Sequence, residues 1–143
     1  LSIFRIAAIS ALGYYLYTLI KRNENKIFII SIALIFAGAI GNMIDSAIYG
    51  LIFSSSNYYD LARFMPEEGG YAPFLYGKVV DMFYFPIIEG NYPEWIPFVG
   101  GQNFIFFRPV FNIADSAIFV GAVIMIIFSF REDKKDKAEK KEE

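Results

Sequence analysis

Asp45 and Asp115 are the acids of this sequence best placed to do chemistry, because each stands in a run of residues otherwise suited to hydrocarbon. The phrases around them nearly repeat. One reads Gly41-Asn42-Met43-Ile44-Asp45-Ser46-Ala47-Ile48, the other Phe111-Asn112-Ile113-Ala114-Asp115-Ser116-Ala117-Ile118. In each, an amide precedes the acid by three residues, which sets both on one helical face. An acid within a bilayer costs at least about 2.5–3.5 kcal/mol on insertion scales, so its presence points to function. A third acid, Asp81, lies in the apolar patch Lys78-Val79-Val80-Asp81-Met82-Phe83. Two carboxylates that share a site cannot both ionise cheaply, so one keeps a proton while the other serves as base. Such a pair can activate water against a peptide carbonyl with no covalent intermediate. The same pattern also has a structural reading, in which each Asn-x-x-Asp caps a turn or joins helices by hydrogen bonds.

Composition narrows the alternatives. The 143 residues include no cysteine and no histidine, which excludes thiol nucleophiles, disulfides, Ser-His-Asp triads and His-rich zinc sites within this chain. A net charge of −2 gives no basic footprint for nucleic acid. The chain is 56% hydrophobic and 19% aromatic, with a mean hydropathy of +0.42, values that indicate an integral membrane protein.

The elements that must position these acids follow from the apolar runs. Residues 1–20 form a first transmembrane helix, with Tyr14, Tyr15 and Tyr17 near its end as an aromatic belt and Arg5 free to snorkel at the other. Residues 21–26 are a polar turn. Residues 27–50 form a second span, of which Ile27 to Ile44 carry no charge. Residues 51–108 hold five of the six prolines and the one Trp, and read as a mixed, partly β extracytoplasmic lid or cradle. Strand-like Phe104–Phe107 sits there beside the turn signals Pro66–Gly70 and Val99–Gly101. Residues 109–130 form a third span behind Pro109, and residues 131–143 a charged, solvated tail. Ala37-x-x-x-Gly41 and Ala117-x-x-x-Gly121 offer close helix packing.

The turn and the tail together carry nine Lys/Arg against three in residues 51–108, which places both in the cytoplasm. At ~1.5 Å per residue, Asp45 then lies about 27 Å and Asp115 about 22 Å from the cytoplasmic edge. Both fall in the outer part of the bilayer on antiparallel helices, and from the pattern alone they are the pair expected to converge. A proton- or cation-coupled transporter subunit is the alternative for paired intramembrane acids, though it calls for acids near the midplane. A purely structural subunit is a third. The chain opens on Leu1 inside an apolar run, without the charged start or small-residue cleavage site of a signal peptide, so its natural N-terminus is expected upstream.

In order along the chain stand Gly41-Asn42-Met43-Ile44-Asp45, Val79-Val80-Asp81-Met82-Phe83 and Phe111-Asn112-Ile113-Ala114-Asp115-Ser116. They resemble the successive G-N-x-I-D, V-V-D-F and F-N-x-A-D-S blocks of the bacterial lipoprotein signal peptidases (signal peptidase II). The resemblance implies an all-α polytopic bundle of four transmembrane helices, three of them present here, with a small mixed, partly β extracytoplasmic region. It implies a monomeric aspartyl endopeptidase of the bacterial inner membrane, its site toward the extracytoplasmic face. Its substrate would be a diacylglyceryl-modified prolipoprotein, cut just before the lipidated cysteine, and membrane lipid would surround both. No metal or organic cofactor is implied. By resemblance Asp81 and Asp115 are the catalytic dyad, in place of the Asp45/Asp115 pair that symmetry suggests. Asn42, Asp45 and Asn112 match positions that support the dyad, the substrate or the helices. The sequence departs from the pattern in lacking the first helix, in carrying Ser46 where the family usually has Arg, and in long insertions between Asp45 and Asn112. Arg108 is expected to be an interfacial anchor.

Overall fold

A computed structural model describes residues 2–57, 59–106 and 109–142. Among the described residues, three helices are long and apolar enough to cross a membrane: Ile3–Lys21, Lys26–Ile52 and Ile113–Glu132. They belong to α1 (Ser2–Lys21), α2 (Lys26–Ile52) and α3 (Ile113–Glu142). Their apolar residues lie all round each helix, and large side chains such as Phe4, Ile30 and Phe119 are left exposed. That is the surface of a helix solvated by lipid. The architecture is a polytopic membrane bundle. The chain forms two compact units: one of Leu1–Val79 with Ile113–Glu143, the other of Val80–Asn112.

In the first unit, α1 ends in a turn where Asn23 takes the left-handed backbone (φ 53°), a conformation asparagine tolerates. Asn25 then caps α2, its side-chain oxygen accepting the Ile27 N–H at 2.9 Å. Helices α2 and α3 are antiparallel. Their contacts run from Gly41 beside Ala114, through Gly121 over Ser31, to the Phe28 and Phe128 rings at 5.9 Å. Ser31, fully buried in this seam, satisfies its hydroxyl on the Phe28 carbonyl at 2.7 Å.

Residues 53–57 and 59–79 fold against the C-terminal end of α2. A helix leaves its last carbonyls without partners. Here Ile52 O accepts from Met65 N–H (2.7 Å) and Gly50 O from Ala72 (2.9 Å), while Ser46 O, a turn further into the helix, also accepts from Gly77 (2.8 Å). Glycine permits this approach: a Cβ on Gly77 would stand 2.7 Å from Gly50 N and 2.9 Å from Ser46 O.

The second unit is a two-stranded ribbon. Strand β1 (Phe83–Tyr84) pairs antiparallel with β4 (Val110–Phe111), and β2 (Ile88–Asn91) with β3 (Asn103–Phe106). Both ladders share one register, so the unit is a single long hairpin interrupted between Tyr84 and Ile88. Pro86 lies in that gap and has no N–H to give to a ladder. The expected strand near Phe104 is thus β3, while Phe107 and Arg108 lie outside the described residues, and with them the anchoring role expected of Arg108.

Two boundaries differ from expectation. Residues 110–111 are strand, so α3 starts at Ile113 rather than at 109. Its helix also runs through the charged tail to Glu142, where Lys, Glu and Ala supply strong helix propensity.

Candidate functional site

Asn42 and Asp115 meet. The Asn42 Nδ2 donates to Asp115 Oδ1 at 2.8 Å, in a half-buried position between α2 and α3. What allows it is a seam without side chains. A Cβ built on Gly38 would strike the Ala114 carbonyl oxygen and stand 2.7 Å from Ile118 Cγ1. One on Gly41 would lie 3.1 Å from Ala114 Cβ, and one on Gly121 2.6 Å from Ser31 O. The backbones can therefore approach closely enough for a short amide on one helix to reach a carboxylate on the other. Asp115 also stands in the first turn of α3, where free backbone N–H groups face an anion.

The close-packing face is shifted from the expected one. Ala37 is exposed, whereas Gly38 is buried and makes the tightest approach. A one-residue step turns a helical position by about 100°. The signal that finds the right face is the Gly38-x-x-Gly41 spacing, both glycines three residues apart on the Asn42 side.

Asp45, one turn beyond Asn42, is half-buried, and among the described residues its carboxylate has no hydrogen-bond partner. The residue of α2 that reaches Asp115 is Asn42. Ser46 is 4% exposed, and its hydroxyl has no partner among the described residues. The Gly77 N–H donates to the Ser46 backbone carbonyl at 2.8 Å.

Asp81 belongs to the second unit. It lies exposed on the extended segment entering β1, next to Met82, whose N–H donates to Phe111 O at 3.1 Å. Asn112 ends that unit, is 3% exposed, and directly precedes the first residue of α3.

A cleft of about 330 Å³ opens between α1 and α2. Phe4, Ala8, Ile9, Ala39 and Met43 give it apolar walls, and Arg5 and Asn42 are its polar residues. It leads lipid-like surface up to the amide that holds Asp115. Among the described residues no group of three His, Cys, Asp or Glu is placed to hold a metal ion.

The fold and this site define a class: a multi-spanning membrane protein with an amide-held carboxylate between two closely packed helices. A family model described as "Signal peptidase (SPase) II" matches residues 1–131, and the chain belongs to that family. Relatives carrying the name lipoprotein signal peptidase include one from Porphyromonas gingivalis, 48% identical over 89% of this chain and 56% of its own length. Another, from Amoebophilus asiaticus, is 35% identical over 89% of this chain and 50% of its own. One from Listeria monocytogenes is 28% identical over 94% and 60%. The chain spans about half the length of the curated relatives it matches first. No solved structure matches it.

Proposed function

We propose that the protein containing this chain is an aspartyl endopeptidase of the bacterial inner membrane, which removes signal peptides from diacylglyceryl-modified prolipoproteins. The observation that carries the proposal is the 2.8 Å bond from Asn42 to Asp115, made inside a bundle of membrane helices by a chain of the signal peptidase II family. An acid held there by a purpose-placed donor is the part an intramembrane hydrolase requires and a lipid-facing structural helix does not.

In this reading Asp115 and Asp81 share one proton. The deprotonated member takes a proton from water, which attacks the carbonyl carbon of the scissile peptide, and the protonated member hands its proton to the leaving amine. Asn42 is a positioning residue that fixes the Asp115 carboxylate. Asp45 and Asn112 support the dyad or the adjoining helices. The choice of Asp81 is supported by the order of the motifs along the chain, which matches that of the family. Lateral arrival suits a substrate whose acyl chains never leave the bilayer, and the apolar cleft reaching Asn42 offers such a route. Membership of a peptidase family removes the motive for an ion-coupled transporter.

The test is substrate processing by the full-length protein in detergent. A diacylglyceryl-modified prolipoprotein is expected to yield a product beginning at the lipidated cysteine, identified by mass, while the unmodified precursor stays whole. Equal cutting of both would remove lipid recognition from the account. Cutting of neither would remove the proposed activity.

A further inference from the structure

The far end of the ribbon displays two aromatic side chains that nothing in its own unit covers. Trp95 is 81% exposed and Phe98 99% exposed. The loop that presents them is built, not slack. Ile96 N–H donates to Pro93 O at 3.1 Å, Gly100 N–H to Ile96 O at 3.0 Å, and Gly101 N–H to Tyr92 O at 2.9 Å. Ile96 and Val99 turn inward and are half-buried, while Trp95 and Phe98 turn out. Phe98 is held at φ 71°, a backbone region that bulky residues rarely occupy, and is kept there by the surrounding turns. An ordered loop that spends strain to expose an aromatic ring needs an apolar partner. Glu94 is the only charged residue between Tyr92 and Gln102, so the stretch carries little charge with which to select a protein surface.

We infer that this loop is a bilayer anchor: Trp95 and Phe98 insert into the headgroup and upper acyl region of the surrounding membrane. Three observations select lipid as the occupant. The strand that returns from the tip runs on from β4 through Asn112 into α3, a membrane-spanning helix, so the ribbon is tethered to the bilayer at its base. Trp is the side chain best suited to the interface, with an apolar ring and one N–H for a headgroup oxygen. The eleven residues from Asp81 to Asn91 also give the ribbon a reach of roughly 30 Å from base to tip. This inference does not depend on the proposed peptidase activity.

Trp95 is the sole tryptophan of the chain, so its fluorescence reports the tip alone. The chain is reconstituted in phosphatidylcholine vesicles with and without brominated acyl chains, and acrylamide is added from the aqueous side. Insertion predicts that brominated lipid removes most of the Trp95 emission while acrylamide removes little. Phe98→Gly keeps the positive-φ backbone and deletes the ring. It is expected to leave circular dichroism unchanged while weakening bromine quenching and strengthening acrylamide quenching. Full acrylamide quenching without a bromine effect in the parent chain would place the tip in water and overturn the anchor. Emission insensitive to both reagents would place the indole against protein, and would equally overturn it.

Discussion

At Asp115 one carboxylate oxygen receives the Asn42 amide, and the residue sits in a helical first turn, so its direction is set by the backbone of one helix and a side chain of another. Hydrogen bonds to charged groups are worth about 1.5–3 kcal/mol. If all of that serves to aim the carboxylate, Asn42→Ala lowers peptide cleavage by about 10–100-fold. The loss should fall on kcat with KM nearly unchanged, since the amide holds the acid and not the substrate. Asn42→Asp would set a second acid against Asp115 and should be worse than Asn42→Ala. A loss confined to KM would recast Asn42 as a substrate contact. Asp45→Asn is expected to be milder than either, because the Asp45 carboxylate has no partner among the described residues.

The helices deliver this geometry through missing side chains. At Gly38 any Cβ collides with the Ala114 carbonyl, so Gly38→Val must push α2 and α3 apart. Overpacking of this kind costs about 1–3 kcal/mol. It should lower the thermal midpoint in detergent and impair cleavage together, by stretching the Asn42 to Asp115 bond. Ala37→Val, on the exposed neighbouring position, is the matched control and should do neither. If both variants behave alike, the seam does not set the site. Much of this was legible beforehand. Apolar runs and polar turns announce three spans, because lipid demands continuous apolar helix. The small-residue motif placed Gly41 and Gly121 at the interface, but it chose Ala37 over Gly38, since a spacing rule leaves open which neighbouring face meets a partner. The shared register of the two ladders was not legible, because Pro86 and the long loop break the alternation that marks a hairpin.

Across the whole chain, the pattern of cations orients the bundle. The Lys21–Lys26 turn and the tail should face the cytoplasm, and residues 53–79 the opposite side. This chain has no cysteine, so an engineered one is the sole thiol reporter within it. In intact cells, a membrane-impermeant maleimide should label Ser56→Cys and spare Asn23→Cys until the membrane is opened. The reverse result would invert the topology and put the acids near the cytoplasmic side. The sequence singles out Asp45, Asp81 and Asp115 because carboxylates within apolar runs are rare. The repeated Asn-x-x-Asp phrase pairs Asp45 with Asp115, and only the resemblance in motif order points to Asp81 in its place.

The central claim is that Asp115 and Asp81 carry out the chemistry together, and single-turnover cleavage by the full-length protein tests it most directly. With diacylglyceryl-modified prolipoprotein in saturating amounts, Asp115→Asn and Asp81→Asn should each reduce the cleavage rate by at least about 10²–10⁴-fold. The double variant should be no slower than the worse single one, as expected for residues acting as a unit. Folding is checked on each by circular dichroism. Near-normal cleavage by folded Asp81→Asn would contradict the account, and would return Asp45 to the place beside Asp115.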